Sequence, residues 1–136
     1  MKRTLLAALL VSAGISGGAA SLSAETAEVP PSSAFNPIQR FAISYDEPRD
    51  IAEFYVREFG LKARDAKFEE VPHPSQTSMR IMLVTAEGLK DDSVEGLQMR
   101  LDLRFASGNW EAVEAGMRRK CYRGPNAGEW TRDVCP

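Results

Sequence analysis

The sequence predicts an α+β domain: one N-terminal amphipathic helix packed on a mainly antiparallel sheet of about four to five strands, closed by a C-terminal disulfide loop. Three observations carry this expectation. Residues 46–61, DEPRDIAEFYVREFGL, space their apolar side chains as a helix does. Residues 96–106, GLQMRLDLRFA, alternate apolar and polar, the period of a strand with one buried face. The chain's 2 cysteines, Cys121 and Cys135, bracket a turn-rich tail.

In chain order, IQRFAISY (38–45) alternates loosely, with Phe41 and Ile43 on one side, and reads as a strand. Asp46 or Glu47 starts the helix, and Pro48 occupies the first turn, where a missing N–H costs nothing. Ile51, Ala52, Tyr55, Val56 and Phe59 form the apolar stripe, and Glu53 and Arg57 are spaced to pair on the opposite side. Gly60 suits the position just past the helix, with Leu61 folding back on Val56. AKFEEV (66–71) and SMRIMLVTA (78–86) read as strands joined by the proline-broken loop VPHPSQTS. EGLKDDSVEG (87–96) is an acidic loop. In the strand that follows, Leu97, Met99, Leu101, Leu103 and Phe105 face one way, and Gln98, Arg100, Asp102 and Arg104 the other. Residues 109–123 fit two readings. A helix is favoured by Asn109 as a cap and by acidic-then-basic charge order; a strand is favoured by the Ser107-Gly108-Asn109 turn that precedes it. Gly116 weakens the helix by about 1 kcal/mol, so the expectation is a strand over 109–120.

The chain opens with Lys2 and Arg3, an uncharged apolar stretch from Thr4 to Ala20, and small residues that permit cleavage after Ala20, Ser23 or Ala24. This is the layout of a secretory signal peptide over 1–24. The Leu5–Ile15 core is too short to span a bilayer, and the absence of cysteine near the cleavage region argues against a lipid anchor. Residues 25–37, ETAEVPPSSAFNP, read as a flexible, exposed leader, with Phe35 a possible anchor, and 38–136 as a single domain. Cleavage after Ala24 leaves 112 of 136 residues and, by removing two positive charges, takes the formal charge from −2 to −4. That balance gives no reason to expect nucleic acid. The expected location is the periplasm or outside the cell.

An oxidising compartment favours a Cys121–Cys135 disulfide. The spacing is far from C-x-x-C, and His73, the only histidine, is too little to complete a zinc site and would have to serve alone as base to a cysteine nucleophile.

No G-x-S-x-G, phosphate-binding glycine loop or H-E-x-x-H occurs, and Glu69-Glu70 and Asp91-Asp92 lack catalytic or calcium-binding spacing. No cofactor is expected. The remaining chemistry is positive charge: Arg100 and Arg104 share a strand face, Arg80 would join them from the neighbouring strand, and Arg118 and Lys120 would extend the stripe. Arginine forks suit phosphate or carboxylate. This surface is the candidate site for an anionic envelope ligand or another exported protein, against a plain solvated face. The expected function is therefore a non-catalytic binding, accessory or inhibitor-like protein of the cell envelope.

Residues 38–61 also resemble the opening strand–helix of the vicinal-oxygen-chelate (glyoxalase-type) superfamily, with Asp46, Phe54-Tyr55 and Phe59-Gly60 at the matching places. The resemblance implies paired βαβββ modules, here through dimerisation, and an active-site metal with Gln39 near a ligand position. The alternative function is accordingly a dimeric metalloenzyme or small-molecule binder of that type. An ordinary amphipathic helix after a strand accounts for the same residues.

Overall fold

A computed structural model describes Gly18 and residues 28–136. The expected signal peptide, Gly18 aside, and residues 25–27 of the leader lie outside the described residues.

The helix α1 spans Pro48–Glu58. The strands are β1 Asn36–Pro37, β2 Ser44–Tyr45, β3 Lys67–Pro72, β4 Met79–Glu87, β5 Val94–Ala106, β6 Asn109–Cys121 and β7 Trp130–Thr131. They form one seven-stranded sheet in the order β1-β6-β5-β4-β3, with β2 and β7 also pairing on β6 and every pairing antiparallel. The outer edge of β6 is thus covered piecewise: β2 at Trp110–Glu111, β1 at Gly116–Met117 and β7 at Arg119–Lys120. The opposite edge is β3, which carries Pro72 and charged residues that discourage further pairing.

The helix forms as its sequence dictates. Glu47 precedes Pro48 at the first position and makes no side-chain cap. At the other end Leu61 N–H reaches Val56 C=O at 2.9 Å and Gly60 N–H reaches Arg57 C=O at 3.0 Å. With Gly60 at φ 72°, this is the glycine-terminated Schellman turn. The surface ion pair is Arg49–Glu53 at 2.9 Å rather than Glu53–Arg57, so the same spacing is used one turn earlier. Ile51, Ala52, Tyr55 and Val56 are fully buried against Met82 and Val84 of β4, Met99, Leu101 and Leu103 of β5, and Ala112, Ala115 and Met117 of β6. Tyr55 keeps its hydroxyl satisfied by accepting from Phe41 N–H at 3.1 Å, and burial raises its pKa.

Of residues 38–45, expected as a strand, only Ser44 and Tyr45 pair as one. The preceding residues bow away from β6, which bulges between Ala112 and Glu114. Residues 109–121 form β6, the strand alternative, and the β5–β6 hairpin turns at Ser107 and Gly108, both at positive φ.

The second face of the sheet is covered in part. The end of the segment expected as an exposed leader lies over it, and Phe35, just before β1, is 3% exposed. Gly116 makes this possible, because a Cβ there would lie 2.7 Å from the Phe35 Cβ. From the other end of the chain Trp130 covers Gly96, where a Cβ would come within 3.0 Å of the indole. The Arg118 guanidinium sits between the two rings, 5.0 Å from Phe35 and 5.4 Å from Trp130. The Cys121–Cys135 disulfide secures this C-terminal hook, with Gly128 N–H bonded to Cys121 C=O at 2.9 Å.

Two expectations follow. Gly116→Ala should lower stability by about 1–3 kcal/mol through overpacking against Phe35, read from denaturant midpoints. Replacing both cysteines by serine should lower it by about 3 kcal/mol and speed amide exchange at Trp130 and Thr131.

Candidate functional site

Six consecutive residues of β5, Gln98 to Leu103, are buried. Alternation sends Met99, Leu101 and Leu103 to the helix and Gln98, Arg100 and Asp102 to the other face. The pattern that suggests a half-buried strand therefore belongs to one covered on both sides. Burial forces the polar side chains to satisfy one another. Gln98 donates to Thr85 Oγ1 at 2.8 Å and accepts from Arg118 Nε at 2.7 Å. Arg100 grips Asp102 with both prongs, Nε to Oδ1 at 2.8 Å and Nη2 to Oδ2 at 2.9 Å, while its Nη1 donates to Pro30 C=O at 2.7 Å. The leader thus supplies a third acceptor to this guanidinium.

His73, just beyond β3, adds the next link. Its Nε2 lies 3.3 Å from Asp102 Oδ2, and its Nδ1 accepts from Ser75 N–H at 3.2 Å. This pattern assigns the proton to Nε2, which donates to the aspartate. The Ser75 hydroxyl is also 3.3 Å from Nδ1, giving the order serine, histidine, carboxylate. As a nucleophile relay it is poorly set, because the Nδ1 lone pair is already engaged by a backbone N–H and the carboxylate is neutralised by Arg100. The arrangement anchors the loop after β3 to the sheet.

Between that loop and the leader lies an open cleft of about 820 Å³. Its walls are Val29 and Pro31 on one side and Val71, Pro72 and Pro74 on the other, with Ile81, Arg100 and Asp102 between them. Glu28 and Glu114, both exposed, also line it. Its volume and mixture of apolar walls with a few fixed polar groups match those of small-molecule sites. A second groove of about 490 Å³ lies at the β6 bulge, between residues 40–44 and 111–113.

The five cations expected as an anion surface do not converge. Arg80 lies directly opposite Leu103, so it belongs to the helix side rather than beside Arg100, which corrects the expected grouping. It bonds Met79 C=O at 3.1 Å and approaches Glu70 at 3.8 Å. Arg104 is engaged by Glu111 at 2.5 Å. Lys120 pairs with Glu87 at 2.7 Å, and that hydrogen bond, ahead of the attraction of Glu87 and Glu95, raises its pKa. Arg118 is held between two rings, and desolvation lowers its pKa. Arg100 is buried, and each of its nitrogens donates once, to Asp102 or to Pro30 C=O. Of the five, only Arg100 lines the cleft.

The cleft residues were hidden from sequence reasoning for identifiable reasons. His73 stands between two prolines, which marks a loop and says nothing of its reach to Asp102. Val29 and Pro31 belong to a segment whose composition resembles a linker. The one available signal was Phe35, a large ring in that otherwise polar stretch.

The glyoxalase-type resemblance does not extend to the site. Four strands, not three, follow α1 in the sheet core. Gln39 is exposed beside β6, while His73 lies at the far edge beyond β3. Among the described residues no three His, Cys, Asp or Glu side chains sit together as a metal site. No protein-family model, curated protein or solved structure matches the chain.

Removing one member of the buried pair should be costly: Asp102→Ala should lose about 3–5 kcal/mol of stability, because Arg100 is then stranded. The double replacement Arg100→Met with Asp102→Leu should lose far less, and denaturant titration of the three proteins compares them.

Proposed function

We propose that this chain is an exported, non-catalytic binding protein of the cell envelope and that its ligand sits in the cleft between the leader and the loop after β3. The observation that carries this reading is the cleft itself, about 820 Å³ of largely apolar surface over a fixed Arg100–Asp102–His73 network. Export is supported by the N-terminal sequence and by the disulfide, which suits an oxidising compartment. Among the described residues no helix is long and apolar enough to cross a membrane. The reading as a binder rather than a catalyst is supported by how thoroughly the titratable groups near the cleft floor are engaged with one another. Arg100, Asp102 and His73 hold the framework and leave no obvious base and nucleophile for a substrate.

The expected result is a processed, oxidised chain carrying a small ligand. Intact mass measurement of protein recovered from the envelope fraction should show loss of the first 20, 23 or 24 residues and two fewer hydrogens than the dithiol. Native mass spectrometry should show a bound small molecule that Val71→Trp together with Ile81→Trp, which crowd the cleft from its β3–β4 side, removes. An unprocessed, reduced cytosolic chain would overturn the reading on export. A folded Val71→Trp, Ile81→Trp protein that still carries the ligand would overturn the reading on the cleft.

A further inference from the structure

Resting on the cleft being the ligand site, we infer that its ligand is a small cationic amphiphile: an apolar chain with a primary ammonium head, and not the anion that the arginine-rich sequence suggests. Among the described residues Arg100 is the only lysine or arginine lining the cleft; three of its five N–H groups are used, two on Asp102 and one on Pro30 C=O, and its charge is matched by Asp102. An incoming carboxylate or phosphate would meet a guanidinium already neutralised and would have to share it with Asp102. His73 offers no spare donor, because its Nε2 faces Asp102 and its Nδ1 accepts from Ser75. Among the described residues the ion pairs at this place are His73–Asp102 and Arg100–Asp102, and neither uses Glu114 or Glu28.

Both glutamates are exposed and both line the cleft. Glu114 lies directly opposite Asp102 on the neighbouring strand, so the two carboxylates share one face of the sheet. With Arg100 and Asp102 cancelling, the cleft carries a net negative charge that an ammonium head would neutralise. The apolar walls of Val29, Pro31, Val71, Pro72 and Pro74 then receive the chain. A volume of about 820 Å³ suits a single small molecule rather than a protein surface.

Three probes of equal chain length separate the possibilities by isothermal titration below their micellar concentrations: decylammonium, decanol and decyl sulfate. Decylammonium should bind one per chain and more tightly than either of the others, with an affinity that falls as salt is added. Glu114→Gln should weaken it roughly fivefold, the size of one exposed ion pair, and leave decanol unchanged. Glu114→Lys should shift preference toward decyl sulfate. Equal binding of all three probes, or tighter binding of decyl sulfate to the unaltered protein, would overturn the charge assignment while leaving the cleft as a site. Failure of every probe to bind would overturn the cleft reading and this inference with it.

Discussion

The fork between Arg100 and Asp102 is the constraint on which the rest of the back face depends. Two charged groups in the middle of a sheet are tolerable only if each is matched, and a strand places residues two apart on one side at the distance a guanidinium can bridge. Matching the carboxylate still leaves one guanidinium nitrogen over, and the Pro30 carbonyl takes it. The polar pair therefore ties the amino-terminal segment to the sheet. The same pair holds His73 and with it the loop after β3. One ionic contact positions both walls of the cleft.

Gly96 and Gly116 are the second half of the same design. Each lies where an aromatic ring from a chain end comes down on the sheet, and each lacks the side chain that would hold the ring off. Phe35 and Trp130 arrive from opposite termini and meet across Arg118, whose long stem and flat head fill the space between them. A sheet that would otherwise have one core gains a thinner second one. The disulfide fixes one of its two covers, and backbone pairing of β1 with β6 fixes the other.

Much of this was legible in the sequence, and the division has a physical basis. Local rules located α1, its glycine stop and the central strands, because those elements declare themselves through side chains a few residues apart. The cysteine pairing followed from there being one possible pair. The leader's path was not legible. Phe35 contacts Gly116, and Pro30 contacts Arg100, across separations that no periodicity records. For the same reason Gln98, Arg100 and Asp102 read as a solvated row: alternation tells which residues share a side, and it cannot tell whether another segment lies over that side. Arg80 was placed with Arg100 because strand register is a property of the pairing, and only the pairing reveals that it stands opposite Leu103. Of the cleft, the sequence offered a lone histidine, without the geometry that brings it to Asp102.

In a chain synthesised from its amino end, Phe35 is exposed long before Gly116 exists to receive it, and Cys135 follows its partner Cys121 by 14 residues. The half of the molecule built around the helix can condense from the middle of the chain while both ends still hang loose. Neither cover can settle before the strand that receives it has been made. The groove walled by the amino-terminal cover therefore exists only once β6 lies in place beneath it.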